Sequence, residues 1–277
     1  MWRKVWKGVK WAGLALVVLV LVVVVALQFR RPALERTWIA QQAILPHVTL
    51  TDTTARIEHV RDFRYASPDS FEVRYLDRTY DLRKIERVWY ALSTFDTDWR
   101  GPAHSFFSFS FADSQFVSIS VEARREVGED YSTLRGATRE FELMVVIGTE
   151  PDLIDLRAVT WNDPIYLYPG RATPEQTRAL FVALLRRAQE LEQRPEFYNT
   201  FTNNCTTNLL DAVNSIREEP IPYGLDVLLP GYSDELAFEE GLIDTDLSLE
   251  EARARYLINT RAMQSTGTPG YSFRIRE

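Results

Sequence analysis

The sequence predicts an α+β domain behind a single N-terminal apolar helix. Three observations carry that reading: an uncharged apolar stretch from Trp11 to Phe29, alternating strand-like segments between residues 52 and 172, and two amphipathic helical patterns further on. With 45% hydrophobic and 26% charged residues, the 277-residue chain holds enough apolar material for a core.

At 1.5 Å per residue the apolar stretch makes about 28 Å of helix, enough for a hydrocarbon core of roughly 30 Å. Arg3, Lys4, Lys7 and Lys10 precede it without an acid, and Arg30 and Arg31 follow. The positive-inside rule then leaves the N-terminus in the cytoplasm and the main domain outside, in a single-pass inner-membrane arrangement. A cleaved signal peptide would have a shorter apolar region ending at small residues, whereas Val25-Ala26-Leu27-Gln28 is a poor cleavage site. The division expected is a cytoplasmic tip and anchor over 1–31, a juxtamembrane linker over 32–54, a domain over 55–230 and an extension over 231–277.

Residues 1–31 take six of the 32 basic residues and none of the 39 acidic ones, so the remainder carries a net charge of −13. A domain so acidic is not expected to bind nucleic acid by bulk attraction. Its expected partner is the lipid bilayer that holds the helix.

Several segments read as strands. Phe71–Tyr75 and Arg78–Leu82 flank a Leu-Asp turn, and Phe141–Ile147 and Ile165–Tyr168 are further strands. His104–Phe111 and Phe116–Glu122 alternate on either side of Asp113-Ser114, which predicts a hairpin over 104–122. Thr173 is a helix cap with Pro174 at the first position and Gln176 completing a capping box. Leu180, Phe181, Leu184, Leu185, Ala188 and Leu191 then share one face, and Pro195 ends the pattern. A second helix runs from Cys205 to about Ile216 with Asn203 or Asn204 as cap, and another lies near Leu249–Tyr256.

Cys205 is the one cysteine, so no intrachain disulfide can form. In the first turn of its helix it meets unpaired backbone N–H groups and the positive end of the helix dipole, which favour a thiolate. The bland alternative is a thiol packed as a small hydrophobe beside Leu209 and Val213. A nucleophilic thiol needs a base, and the chain has three histidines. His47 follows Pro46 near the anchor, and His59 lies in the charged run Arg56–Asp62. His104 opens the aromatic hairpin and is the best candidate. If the hairpin turns at Asp113-Ser114, His104 faces Ala123, which puts Glu122 within one residue as the orienting carboxylate, with Ser120 one pleat further on. The N–H groups of Cys205 and Thr206 would suit an oxyanion, and Asn204, Tyr198 and Arg124 are the neighbouring candidates for substrate contacts. The histidine and cysteine spacings match no short metal-ligand motif, so neither metal nor cofactor is expected. No Gly-rich phosphate loop and no Gly-x-Ser-x-Gly elbow occurs.

The stretches Val60–Tyr65, Ala103–Phe109, Ser120–Glu129 with Tyr131, and Phe197–Thr207 resemble the Lnb N-terminal periplasmic domain family. That resemblance, carried most specifically by Asn203-Asn204-Cys205-Thr206-Thr207, spans roughly residues 55 to 230. It implies lipoprotein N-acyltransferase-like chemistry, with His104 and Cys205 acting as a pair. It also implies a permuted papain-like (NlpC-type) fold, as in lecithin retinol acyltransferase, whose acyl-thioester forms from a phospholipid. A phospholipid donor and a lipoprotein amine acceptor are the partners so implied. The alternatives are a papain-like peptidase or amidase acting on peptide or peptidoglycan, and an anchored envelope domain whose cysteine is inert.

Overall fold

The computed structural model describes residues 2–95 and 99–277. The apolar stretch forms α1 (Trp2–Gln28), within which Lys10–Gln28 is long and apolar enough to cross a membrane. The chain continues through a short 3-10 turn at Ala40–Gln42 into β1 (His47–Leu50), β2 (Thr54–Arg61), β3 (Arg64–Ser67), β4 (Ser70–Glu72) and β5 (Tyr75–Asp81). It then forms β6 (Ile85–Thr94), β7 (Ala103–Phe111), β8 (Phe116–Arg124), α2 (Thr133–Gly136) and β9 (Glu142–Gly148). Next come α3 (Glu150–Asp155), a π-helical turn over Leu156–Trp161, β10 (Ile165–Pro169), α4 (Pro174–Gln193) and α5 (Cys205–Asn214). The chain ends with α6 (Leu225–Leu228), α7 (Ser233–Glu239), α8 (Leu249–Tyr256), α9 (Asn259–Ser265) and α10 (Tyr271–Arg274).

One large sheet organises these elements in the order β1-β2-β9-β8-β7-β6-β10, with β5 also paired to β2. Its ladders are antiparallel except for a parallel bridge between Arg61 and Gly148. Strand alternation divides the side chains between two faces. On one face Phe107, Phe109, Val117, Ile119 and Val145 cluster with Leu180, Phe181 and Leu184 of α4 and Leu209 of α5. On the other, Phe106, Met144 and Val146 cluster with Leu153, Ile154, Ile258, Ala262 and Tyr271. The mixed α+β class read from the sequence is what forms.

One local expectation needs correction. Leu76 and Asp77 lie inside β5, not in a turn, because the β3–β4 hairpin takes up the reversal earlier. Within the expected juxtamembrane linker, His47–Leu50 pairs with Ala55–Glu58 as a sheet edge. Within the expected extension over 231–277, Ile258, Ala262, Tyr271 and Ile275 are buried against the sheet. Among the short helices there, α8 forms at Leu249–Tyr256 as expected, while α7, α9 and α10 turn too few apolar residues inward to mark a helical period.

Candidate functional site

The segment leading to Cys205 is built by asparagine and threonine side chains. Asn199 Oδ1 accepts from the amides of Phe201 and Thr202, which turns the chain sharply. Asn204 then caps α5: its Oδ1 accepts from Thr207 N at 2.9 Å, and Thr207 Oγ1 accepts from Asn204 N at 2.8 Å. Asn204 is therefore spent on the cap. The backbone amides of Cys205 and Thr206 have no hydrogen-bond partner among the described residues, so both stay available at the positive end of the helix.

Cys205 is 5% exposed, and its sulfur has Thr206 Oγ1 as a polar neighbour at 3.7 Å. Thr206 Oγ1 reaches across to Ser105 Oγ on β7 at 3.1 Å, which fastens the first turn of α5 to the sheet. Ser105 and Thr206 stand at one side of a cavity of about 250 Å³, otherwise walled mainly by Val88, Phe107, Leu180, Leu209, Val213 and Ile221. It exceeds the ~150 Å³ of an apolar cavity that accepts benzene.

His104 follows a different path. The β7–β8 ladder pairs Phe106 with Ser120, one residue off the register expected from the turn, so Glu122 and not Ala123 lies on the His104 side. His104 Nε2 meets Ser120 Oγ at 2.7 Å, and Ser120 Oγ donates to Glu122 Oε1 at 2.9 Å. The carboxylate itself stands 3.9 Å from Nε2, so Ser120 holds the imidazole and Glu122 acts on it through that hydroxyl. Arg157, from the π-helical turn, donates to Glu122 at 3.2 Å, and its guanidinium lies 5.1 Å from the Phe106 ring centre. Gln42, beyond the anchor, adds a contact to Glu122 at 3.4 Å.

These bonds fix the tautomer. Burial pushes the Glu122 carboxyl up, but Arg157, Arg61, His104 and the Ser120 hydroxyl outweigh it and hold the group at about 2. An ionised carboxylate only accepts, so the Ser120 hydrogen points to Glu122 and Ser120 accepts from His104 Nε2–H. That leaves the lone pair on Nδ1, which has no partner among the described residues. Burial first and Arg157 second push the imidazole down to about 3 against the pull of Glu122, so it is neutral at physiological pH.

Cys205 and His104 share no hydrogen bond among the described residues. Alternation along β7 turns Ser105 toward α5 and His104 the other way, so thiol and imidazole can meet only around the strand end. The β7–β8 ladder has already stopped there, after Phe106–Ser120. The remaining candidates lie elsewhere. Arg124 is 3% exposed and donates to the carbonyls of Leu34, Gln42 and Ala43, which fastens the segment after the anchor and leaves it outside the cavity wall. Tyr198 is buried, with its hydroxyl 3.1 Å from that of Tyr131. His47 pairs with Glu192 at the surface, and His59 Nδ1 lies 3.3 Å from Leu45 O. No group of three or more metal-ligating side chains occurs among the described residues. Arg157 and Gln42 carry no sequence signal, because an arginine in an apolar helix and a glutamine after an anchor have many structural uses.

The imidazole relay yields a direct expectation. Ser120→Ala removes the acceptor that fixes Nε2–H, so the His104 ring should pass from one tautomer to a mixture of two. Ser120→Thr should restore the single tautomer. The ring-nitrogen chemical shifts of His104 are the measurement.

The fold and this site define an α+β domain behind one long apolar helix, with a thiol at a helix start and a hydrogen-bonded histidine on the adjoining strand. The profile of the Lnb N-terminal periplasmic domain matches residues 71–229, more than half of the chain, and the protein belongs to that family. One N-terminal helix long enough to span a membrane fits a single-pass protein with a periplasmic domain. No curated protein and no solved structure matches the chain.

Proposed function

We propose that this is an anchored thiol enzyme of the cell envelope, in a permuted papain-like fold, which takes an acyl group from a membrane lipid onto Cys205. The apolar cavity reaching Thr206 carries this reading, since a cavity walled by Val88, Phe107, Leu209 and Ile221 suits an acyl chain and offers little to a peptide backbone. Attack requires the imidazole Nδ1 to reach Sγ around the end of β7, a side-chain rotation to be completed when the chain is bound. His104 Nδ1 takes the thiol proton as Sγ bonds to the ester carbonyl carbon. The amides of Cys205 and Thr206 receive the oxyanion. Collapse breaks the ester C–O bond, and His104 returns the proton to the leaving alkoxide. An amine, as on a lipoprotein N-terminus, or water then attacks the thioester carbonyl and gives its proton to His104 Nδ1. The C–S bond breaks and the thiol regains a proton from His104.

Full-length protein in phosphatidylethanolamine-containing vesicles, quenched in acid and examined by intact mass, tests the reading. The expected result is an adduct of one fatty acyl group that neutral hydroxylamine removes. An unmodified chain in lipid, together with acylation by an activated peptide ester, would overturn the lipid donor in favour of a peptide one.

A further inference from the structure

The chain leaves α1 against two loops. Arg30 Nη1 donates to Arg139 O at 3.2 Å, and Arg139 Nη1 to Leu27 O at 3.5 Å, so the end of the anchor touches the loop over 125–141. That loop is bonded to the one before α5 by Thr200 Oγ1 to Thr133 O at 2.8 Å and by the paired Tyr131 and Tyr198 hydroxyls at 3.1 Å. The first residues past the anchor run along the same surface, with Ala33 N donating to Glu142 and Val127 N to Thr37 O.

On these two loops stand Val127, Tyr131, Leu134 and Phe201, exposed by 65%, 42%, 77% and 53%. Single apolar residues on a surface need no explanation, but four on two bonded loops beside a membrane span do. The loops are not loose: Ser132 caps α2 and Thr200 is anchored at both its amide and its hydroxyl. Their side chains are thus held outward by rigid backbone.

We propose that this face seats in the headgroup layer of the bilayer that α1 crosses, with Leu134 and Phe201 as apolar wedges. The tether argues for lipid as the occupant, because the hydrogen bonds from Arg30 and Arg139 keep both loops within reach of the end of the span. Arg30, Arg31 and Arg139 lie where phosphates would be. Glu129 and Asp130 share the loop, so apolar insertion and not net charge supplies the adhesion. Seated in this way, the Asn199–Asn204 loop and the first turn of α5 turn toward the lipid. The surface assignment depends on α1 being a span and stands whether or not Cys205 is catalytic.

The test places a single environment-sensitive NBD label at Leu134→Cys or Phe201→Cys, with Val73→Cys and Met263→Cys as controls. All are made in a Cys205→Ala full-length chain, reconstituted in phosphatidylcholine–phosphatidylglycerol vesicles with brominated acyl chains. Labels at 134 and 201 should lose at least half of their emission, while the controls keep theirs. Equal emission at all four positions overturns the proposal. Hydrogen exchange of the unsubstituted chain in nanodiscs against amphipol provides a readout without mutation. Protection gained in lipid at 127–139 and 199–203 supports the seat, and unchanged protection there overturns it.

Discussion

Cys205→Ala is expected to abolish the acyl adduct and to cut turnover on the order of a millionfold, as loss of a nucleophile does elsewhere. Cys205→Ser keeps the shape of the first turn and should be nearly as inactive, because a hydroxyl beside a weak base is a poorer nucleophile. Melting temperatures of both variants should stay close to that of the parent chain, which separates lost chemistry from lost fold. The pH dependence follows from the relay. Burial and Arg157 push the imidazole down to about 3, so the acid limb of kcat/KM should fall well below 6.5. Stability moves the same way. A histidine lowered in the folded state binds its proton more readily when unfolded, so its effect is absent above 6.5 and destabilising as pH falls from there toward 3. Glu122, held at about 2, contributes stability above its ordinary 4.5 that is lost as pH falls toward 2. Both groups therefore weaken the fold on acidification, and urea midpoints at successive pH values check the sign. A midpoint that rises between pH 6.5 and 4 would contradict it.

Why some of this was legible in the sequence and some was not comes down to range. The Thr173–Pro174–Gln176 start and the Asn204 cap are local, and each forms where the chain spells it. The aromatic alternation of His104–Phe111 with Phe116–Glu122 gave the hairpin, and a one-residue error at its turn was enough to misplace the partner of His104. Glu122 was legible as a neighbour of the imidazole, but the hydroxyl between them was not, because the choice between Ser120 and Glu122 depends on pleat and register. Arg157 and Gln42 come from segments distant along the chain, and Arg157 depends on a π-helical turn that no periodicity announces. The two alternating faces explain the hardest point. The family resemblance implies a Cys205–His104 pair, but only the pleat reveals that Ser105 faces α5 while the imidazole turns away.

The buried ion pair between Arg61 and Asp152 should produce the largest effect on stability. Arg61 is 4% exposed and Asp152 fully buried, joined by two parallel bonds of 2.9 Å. Asp152 also accepts from Phe63 N at 2.8 Å, and Arg61 Nη1 donates to Gln41 O at 3.0 Å. One pair thus ties β2, α3 and the segment after the anchor. Burial alone pulls the guanidinium toward losing its charge, but Asp152, with Tyr65 and Glu122, outweighs that and keeps it a cation. Asp152→Ala leaves that cation unpaired in the interior and should cost about 3–5 kcal/mol. Asp152→Asn, which keeps the shape and one acceptor, should cost less. The double variant Arg61→Leu/Asp152→Leu should recover most of the loss, because desolvating the pair consumes much of what its attraction supplies. Urea unfolding of the full chain in nanodiscs gives the comparison. A double variant as unstable as Asp152→Ala would mean that the bonds to Phe63 and Gln41, and not charge pairing, hold these three segments together.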